Sequence, residues 1–221
     1  MRIDSRETHS LSELLGATPV VPVLVVERAR DALDLAAALV SGGLCVLEIT
    51  LRTDAALTAV REIAESIPEA ILGVGSVIEP AQFAAAAKAG ARFAVSPGAT
   101  AQLQAAAEAA KLPWLPGAQT LSEMLNLRTS GHRLIKFFPA EASGGVEFLR
   151  SIAGPLPDVR FCPTGGISYA NAPNYLALSN VSCVGGSWIA PPTLIGERRW
   201  DEISALARAA RALRQSARET S

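Results

Sequence analysis

Histidine is almost missing from this chain: its 221 residues include only His9 and His132. Neither has a second ligand at metal-binding spacing, and the 3 cysteines, Cys45, Cys162 and Cys183, stand far apart. No metal site is expected, and both histidines read as surface or packing residues. An odd set of cysteines within apolar, strand-like runs reads as buried, reduced thiols of a cytoplasmic protein. The net charge is −1, with no basic block, so nothing favours nucleic acid as a partner. Apolar stretches stay short of the roughly 18 uncharged residues a membrane span needs. The first dozen residues lack the apolar centre of a secretory signal. Lysine is scarce too: of 20 basic residues only Lys88, Lys111 and Lys136 are lysines.

What the chain does have is apolar content, 49% against 19% charged residues, enough for a substantial packed core. With no linker-like or low-complexity stretch, residues 1–221 read as a single domain. Short β-branched runs alternate with Ala/Leu-rich segments of helical period. The expected strands are Val20–Val26, Leu44–Thr50, Ala70–Val74, Phe93–Ser96, Trp114–Leu115, Leu134–Phe137, Val159–Cys162 and Val181–Val184. Helices are expected at Ala29–Ser41, Asp54–Ser66, Pro80–Ala89, Thr100–Ala110, Leu121–Arg128, Val146–Ala153, Ala172–Leu178 and from Trp200 to Arg214. A short amphipathic helix precedes the first strand. Such alternation implies parallel strands with crossover helices. Eight units in this length suit an α/β fold of the (β/α)8 TIM-barrel type with an extra N-terminal helix. An open doubly wound sheet is the alternative.

Polar and turn residues cluster at the strand ends, where barrel enzymes place their chemistry. Lys136 stands out, flanked by Ile135, Phe137 and Phe138 in a chain that otherwise prefers arginine. A lysine in apolar surroundings can lose its proton and attack a carbonyl to form a Schiff base; otherwise it is a strand-end lysine that snorkels to water. Glu48 lies near the end of the second strand, across a barrel from Lys136, and could shuttle protons for such chemistry or simply form a structural ion pair. Arg52, four residues later, suits a bidentate grip on a substrate carboxylate, or else is a surface arginine. The pairs Gly165-Gly166 and Gly185-Gly186, the latter followed by Ser187, fall in consecutive loops where barrels often bind phosphate. They also suit tight turns. Gly73-Val74-Gly75 lacks the third glycine of a dinucleotide fingerprint.

Four separated motifs together resemble one family, the 2-keto-3-deoxy-6-phosphogluconate (KDPG) aldolases, bifunctional with 4-hydroxy-2-oxoglutarate aldolase. They are Gly43 to Arg52, Gly131 to Gly144, Arg160 to Ser168, and Gly185-Gly186-Ser187-Trp188. The likeness spans roughly Pro19 to Leu213. It implies a homotrimeric, cytoplasmic barrel active without metal or other cofactor. Lys136 would form the Schiff base and Glu48 would act as general acid/base. Arg52 and Ser76 would hold the carboxylate of the pyruvyl group, Phe138 would line the pocket, and Pro97 and Thr164 would lie nearby. Gly165, Gly166, Gly186 and Ser187 would receive phosphate. The implied partners are a phosphorylated keto-deoxy sugar acid, pyruvate and glyceraldehyde 3-phosphate, in the Entner–Doudoroff pathway.

Two positions depart from the family's pattern: Ser76 replaces a usual threonine, and Gln119 replaces a small residue. The same chemistry on the galactonate epimer or on 4-hydroxy-2-oxoglutarate is the near alternative. A non-catalytic phosphosugar-binding barrel would keep the glycine loops but need neither the Lys136–Glu48 pair nor Arg52. A metal-dependent aldolase would require a histidine set the chain lacks.

Overall fold

The structure, a computed structural model, describes residues 10–219, with side chains described as far as Leu213. His9 and both ends of the expected 1–221 domain lie outside the described residues. Helix α1 (Leu11–Gly16) opens the chain and is fixed by a reciprocal cap: the Ser10 amide donates to Glu13 Oε2 at 2.7 Å, and the Glu13 amide donates to Ser10 Oγ at 3.3 Å. Its Leu14 and Leu15 are buried.

Strand β1 (Val20–Leu24) leads through a 3₁₀ turn to α2 (Ala32–Ser41), and the alternation continues. In order come β2 (Val46–Thr50), α3 (Ala56–Ser66), β3 (Ile71–Gly75), α4 (Ala81–Lys88), β4 (Phe93–Val95) and α5 (Ala101–Ala109). Next are β5 (Trp114–Leu115), β6 (Gly117–Ala118), α6 (Leu121–Thr129), β7 (Leu134–Phe137), α7 (Gly145–Ile152) and β8 (Arg160–Pro163). The chain finishes with α8 (Ala172–Leu176), β9 (Val184–Gly186), α9 (Pro192–Gly196) and α10 (Trp200–Glu219). Two parallel sheets result, ordered β5-β4-β3-β2-β1-β9 and β6-β7-β8. Isolated parallel bridges join Phe161 to Val181 and Thr164 to Gly185.

Several boundaries differ from expectation. The fifth strand continues past Leu115: pairing resumes at Gly117, opposite Lys136. Pro116 lies between β5 and β6, and proline has no N–H to give the ladder. Its carbonyl still accepts the Lys136 amide at 2.8 Å. The expected strand Val181–Val184 shifts to Val184–Gly186, with Val181 making only a bridge. Val20–Val26 pairs only to Leu24, and the chain bends at Glu27 on its way to α2. The last helix runs past Arg214 to Glu219, where helix-forming residues outlast the apolar period. Of the 3 cysteines, Cys162 and Cys183 are buried, whereas Cys45 is half-buried; burial raises its thiol pKa.

Period-2 alternation sorts the strand residues into two layers. Leu47, Ile49, Leu72, Val74, Ala94, Ile135, Phe137 and Phe161 pack with the helices. Val21, Val46, Ile71, Phe93, Val95, Leu115, Leu134, Cys162 and Cys183 form a second cluster together with Leu14 and Leu15 of α1. That inner cluster draws on strands of both sheets, so the sheets face each other across it. Each large apolar side chain so buried contributes about 1.5–3 kcal/mol. No helix among the described residues is long and apolar enough to cross a membrane.

Candidate active site

Glu48 lies two residues beyond Val46 on β2, and Lys136 two beyond Leu134 on β7, so both share the inner face with those apolar neighbours. They are 4% and 5% exposed, and Lys136 Nζ stands 3.5 Å from Glu48 Oε1. An unpaired charge at either position would be costly, so each charge supplies the other's compensation. Gly75, beside Thr50 in the β2–β3 register, makes the arrangement possible: a Cβ there would overlap Glu48 Oε1. The ring of half-buried Phe138 lies 5.3 Å from Lys136 Nζ, within cation–π reach.

Arg52 is exposed just beyond β2, and its Nε donates to Ser76 Oγ at 2.8 Å. Ser76 adopts φ +56°, a left-handed conformation rare for a residue with a Cβ. Half-buried Pro97 follows β4 and packs against Gly117. Thr164 is buried, and its hydroxyl donates to the Cys162 carbonyl at 3.5 Å. Through the Thr164–Gly185 bridge the loop bearing Gly165 and Gly166 lies beside the one bearing Gly186 and Ser187. Ser187 is exposed and Gly186 buried. The predicted residues thus fall at the C-terminal ends of their strands, on both sheets. Two open cavities of about 280 and 260 Å³ lie along α5 and share Gln104 and Trp114. Neither includes any predicted site residue. Among the described residues, no group of three or more His, Cys, Asp or Glu is gathered to hold a metal.

Sequence reasoning passed over three residues that surround the Gly165-Gly166 turn. The Glu141 amide donates to Gly165 O at 3.1 Å, and its carboxylate accepts the hydroxyl of Tyr175. Burial, then that carboxylate, pushes the Tyr175 phenol well above its usual range, so it remains a donor. Asn171 donates from Nδ2 to Gly166 O at 3.1 Å and accepts the Ser168 amide on Oδ1 at 2.7 Å. The Ser168-x-x-Asn171 spacing ahead of a helix was a usable signal, because paired caps recur at that separation. Glu141 and Tyr175 act across space and left none.

A model of the family described as KDPG and KHG aldolase matches residues 11–206. This chain belongs to that family. It is 50% identical over 201 residues to the KHG/KDPG aldolase of Escherichia coli strain K12, covering 91% of this chain and 94% of that protein. The 2-dehydro-3-deoxy-phosphogluconate aldolase of Pseudomonas aeruginosa is 44% identical over 205 residues, 93% of each chain. Among solved family structures, KDPG aldolase from Legionella pneumophila, with pyruvate captured as a covalent carbinolamine, superposes with a TM-score of 0.88. It is 44% identical and covers 90% of this chain and 97% of that one. The Zymomonas mobilis enzyme with 3-phosphoglycerate gives a TM-score of 0.86 at 44% identity, covering 91% and 94%.

Proposed function

We propose that this chain is a metal-independent class I aldolase that reversibly cleaves 2-dehydro-3-deoxy-6-phosphogluconate to pyruvate and D-glyceraldehyde 3-phosphate. The observation that carries the reading is the buried Lys136–Glu48 pair at 3.5 Å in a member of this family. The Lys136 amine adds to the C2 ketone, and the carbinolamine loses water to give an iminium. A carboxylate beside the nitrogen can deliver a proton to the departing hydroxyl and then take one from the C4 hydroxyl. As that O–H proton leaves, the C3–C4 bond breaks, its electrons pass into the iminium, and the aldehyde is released. The resulting enamine is protonated at C3, and water hydrolyses the imine to pyruvate and free lysine. Glu48 alternates between acid and base through these steps.

The Arg52–Ser76 pair supplies a guanidinium and a hydroxyl for the pyruvyl carboxylate, and Phe138, Pro97 and Thr164 shape the pocket beside the reacting carbon. Gly165, Gly166, Gly186 and Ser187 receive the phosphate. The two sheets belong to one closed (β/α)8 barrel in a single domain, with α1 across its N-terminal end. The bridges from β8 towards β9 and the unbroken chain through Pro116 support that reading. A cytoplasmic homotrimer in the Entner–Doudoroff pathway accords with the family resemblance. The exposed Ile78, Leu125 and Tyr169 offer apolar surface for subunit contact. One observation favours an additional substrate: the Escherichia coli relative bears a double name that includes KHG, so 4-hydroxy-2-oxoglutarate is to be assayed alongside.

Incubation with pyruvate and borohydride, followed by peptide mapping, tests the mechanism. A reduced adduct on Lys136, absent from Lys136→Ala, is the expected result. A folded protein that takes up no label while a control aldolase does would overturn the proposal and favour a binding protein.

A further inference from the structure

Consecutive carbonyls of the Gly165-Gly166 turn are both held by hydrogen bonds. Gly165 O accepts the Glu141 amide at 3.1 Å, and Gly166 O accepts Asn171 Nδ2 at 3.1 Å. In a planar trans peptide the N–H points opposite the carbonyl of the same unit. The Gly166 N–H is therefore turned away from Glu141 in the β7–α7 loop, and the Ile167 N–H away from Asn171. The far side of β8 from that loop is where the bridge to Gly185 brings Gly186 and Ser187. With φ of +98° and +78°, Gly165 and Gly166 also curve the backbone in a way that side chains with a Cβ rarely allow. Successive amides on such a curve form an anion-binding concavity.

Asn171 does more than accept a single contact. Its Oδ1 receives the Ser168 amide at 2.7 Å while Nδ2 holds Gly166 O, so one carboxamide grips the chain on both sides of Ile167. Its own backbone amide donates to Ser168 Oγ at 3.3 Å, which fixes the ring from the other direction. We propose that Asn171 is a positioning residue for the phosphate end of the substrate: it aims the Gly166 and Ile167 amides and so sets the preference for a phosphorylated substrate. This rests on the aldolase reading above. Asn171 touches neither Lys136 nor Glu48, so it acts on affinity at the phosphate end and leaves Schiff-base chemistry alone.

The test compares Asn171→Ala and Asn171→Asp with the unchanged enzyme. The aspartate variant keeps the size and the acceptor for Ser168 but loses the donor to Gly166, so it serves if the alanine variant fails to fold. Four quantities are read: KM and kcat for the phosphorylated substrate, competitive inhibition by inorganic phosphate, and the pyruvate dependence of borohydride trapping on Lys136. The expected result is a KM raised roughly 10-fold or more, the effect of misaiming one charge-assisted hydrogen bond, with phosphate inhibition weakened in parallel. kcat and pyruvate trapping stay close to those of the unchanged enzyme. An unaltered KM, or losses of equal size in KM and in pyruvate trapping, overturns the assignment of Asn171. Failure of the unchanged enzyme to trap pyruvate overturns the aldolase reading instead, so the two failures are told apart.

Discussion

The two ends of the same strands do different work. Towards their N-terminal ends the inner residues are Val46, Ile71, Phe93, Leu115, Leu134 and Cys162, packed with Leu14 and Leu15 of α1. Two residues further along three of these strands, the same face presents Glu48, Lys136 and Thr164. A step of two residues is about 6.6 Å, so hydrocarbon gives way to polar and charged groups within roughly one side-chain layer. The apolar layer is a floor that fixes strand spacing without needing any partner. The polar layer is stable only because its charged members pair, and the reaction proposed above is assigned to that pair.

If the layers are separable, substitutions in one should spare the other's property. The largest effect after loss of Lys136 itself is expected for Glu48→Gln. It keeps the shape and removes the proton shuttle, and turnover should fall by about 10²–10⁴-fold. Pyruvate should still bind, and steady-state kinetics beside borohydride trapping would check the split. Full activity would remove Glu48 from the mechanism. Phe93→Ala is the mirror experiment in the floor: stability should drop by about 3–5 kcal/mol in denaturant unfolding. Turnover per folded molecule should hold; a matching fall in kcat would show that the layers are coupled.

Arg52→Ala should weaken apparent pyruvate affinity by the equivalent of about 1.5–3 kcal/mol, read as a raised pyruvate concentration for half-maximal trapping. An unchanged value would place Arg52 outside the site. The smallest effect concerns His132, two residues before β7, edge-on to Trp114 at 5.4 Å. Burial lowers its pKa below the ordinary 6.5, with Glu108 opposing. The unfolded chain then takes up the proton first as pH falls, so stability is complete above about pH 6.5 and declines below it towards the folded value. Thermal unfolding at pH 7.5 and pH 5.5 should show that slope, reduced in His132→Gln. A slope of the same size in the variant would assign it to other groups.

Much of this was readable in advance because each layer has a local sign. Period-2 runs located strands, Ala/Leu-rich stretches located helices, and a lysine amid aromatic and aliphatic neighbours was conspicuous in an arginine-rich chain. Strand order and alternation placed it on the same inner face as Glu48, which it meets at 3.5 Å. The continuation of β5 into β6 was not readable, because Pro116-Gly117 has the composition of a turn, and only the partner strand shows that pairing resumes there. The supports of the glycine turn were hidden for a related reason. Glu141 belongs to the preceding unit, and its contacts with Gly165 and Tyr175 cross between elements that local pattern treats separately.

The close approach of Gly75 to Glu48 also limits how this site can change over generations. The missing side chain at 75 and the carboxylate of Glu48 occupy one volume, so no side chain can enter at 75 without displacing that carboxylate. An aspartate at 48 would withdraw the oxygen and leave a void that alanine at 75 could fill, whereas either exchange alone yields a defective intermediate. Descendants with new substrates are then reached more readily through the outer loops than through this pair. Joint randomisation of positions 48 and 75, followed by selection for growth, would display that dependence as correlated survivors.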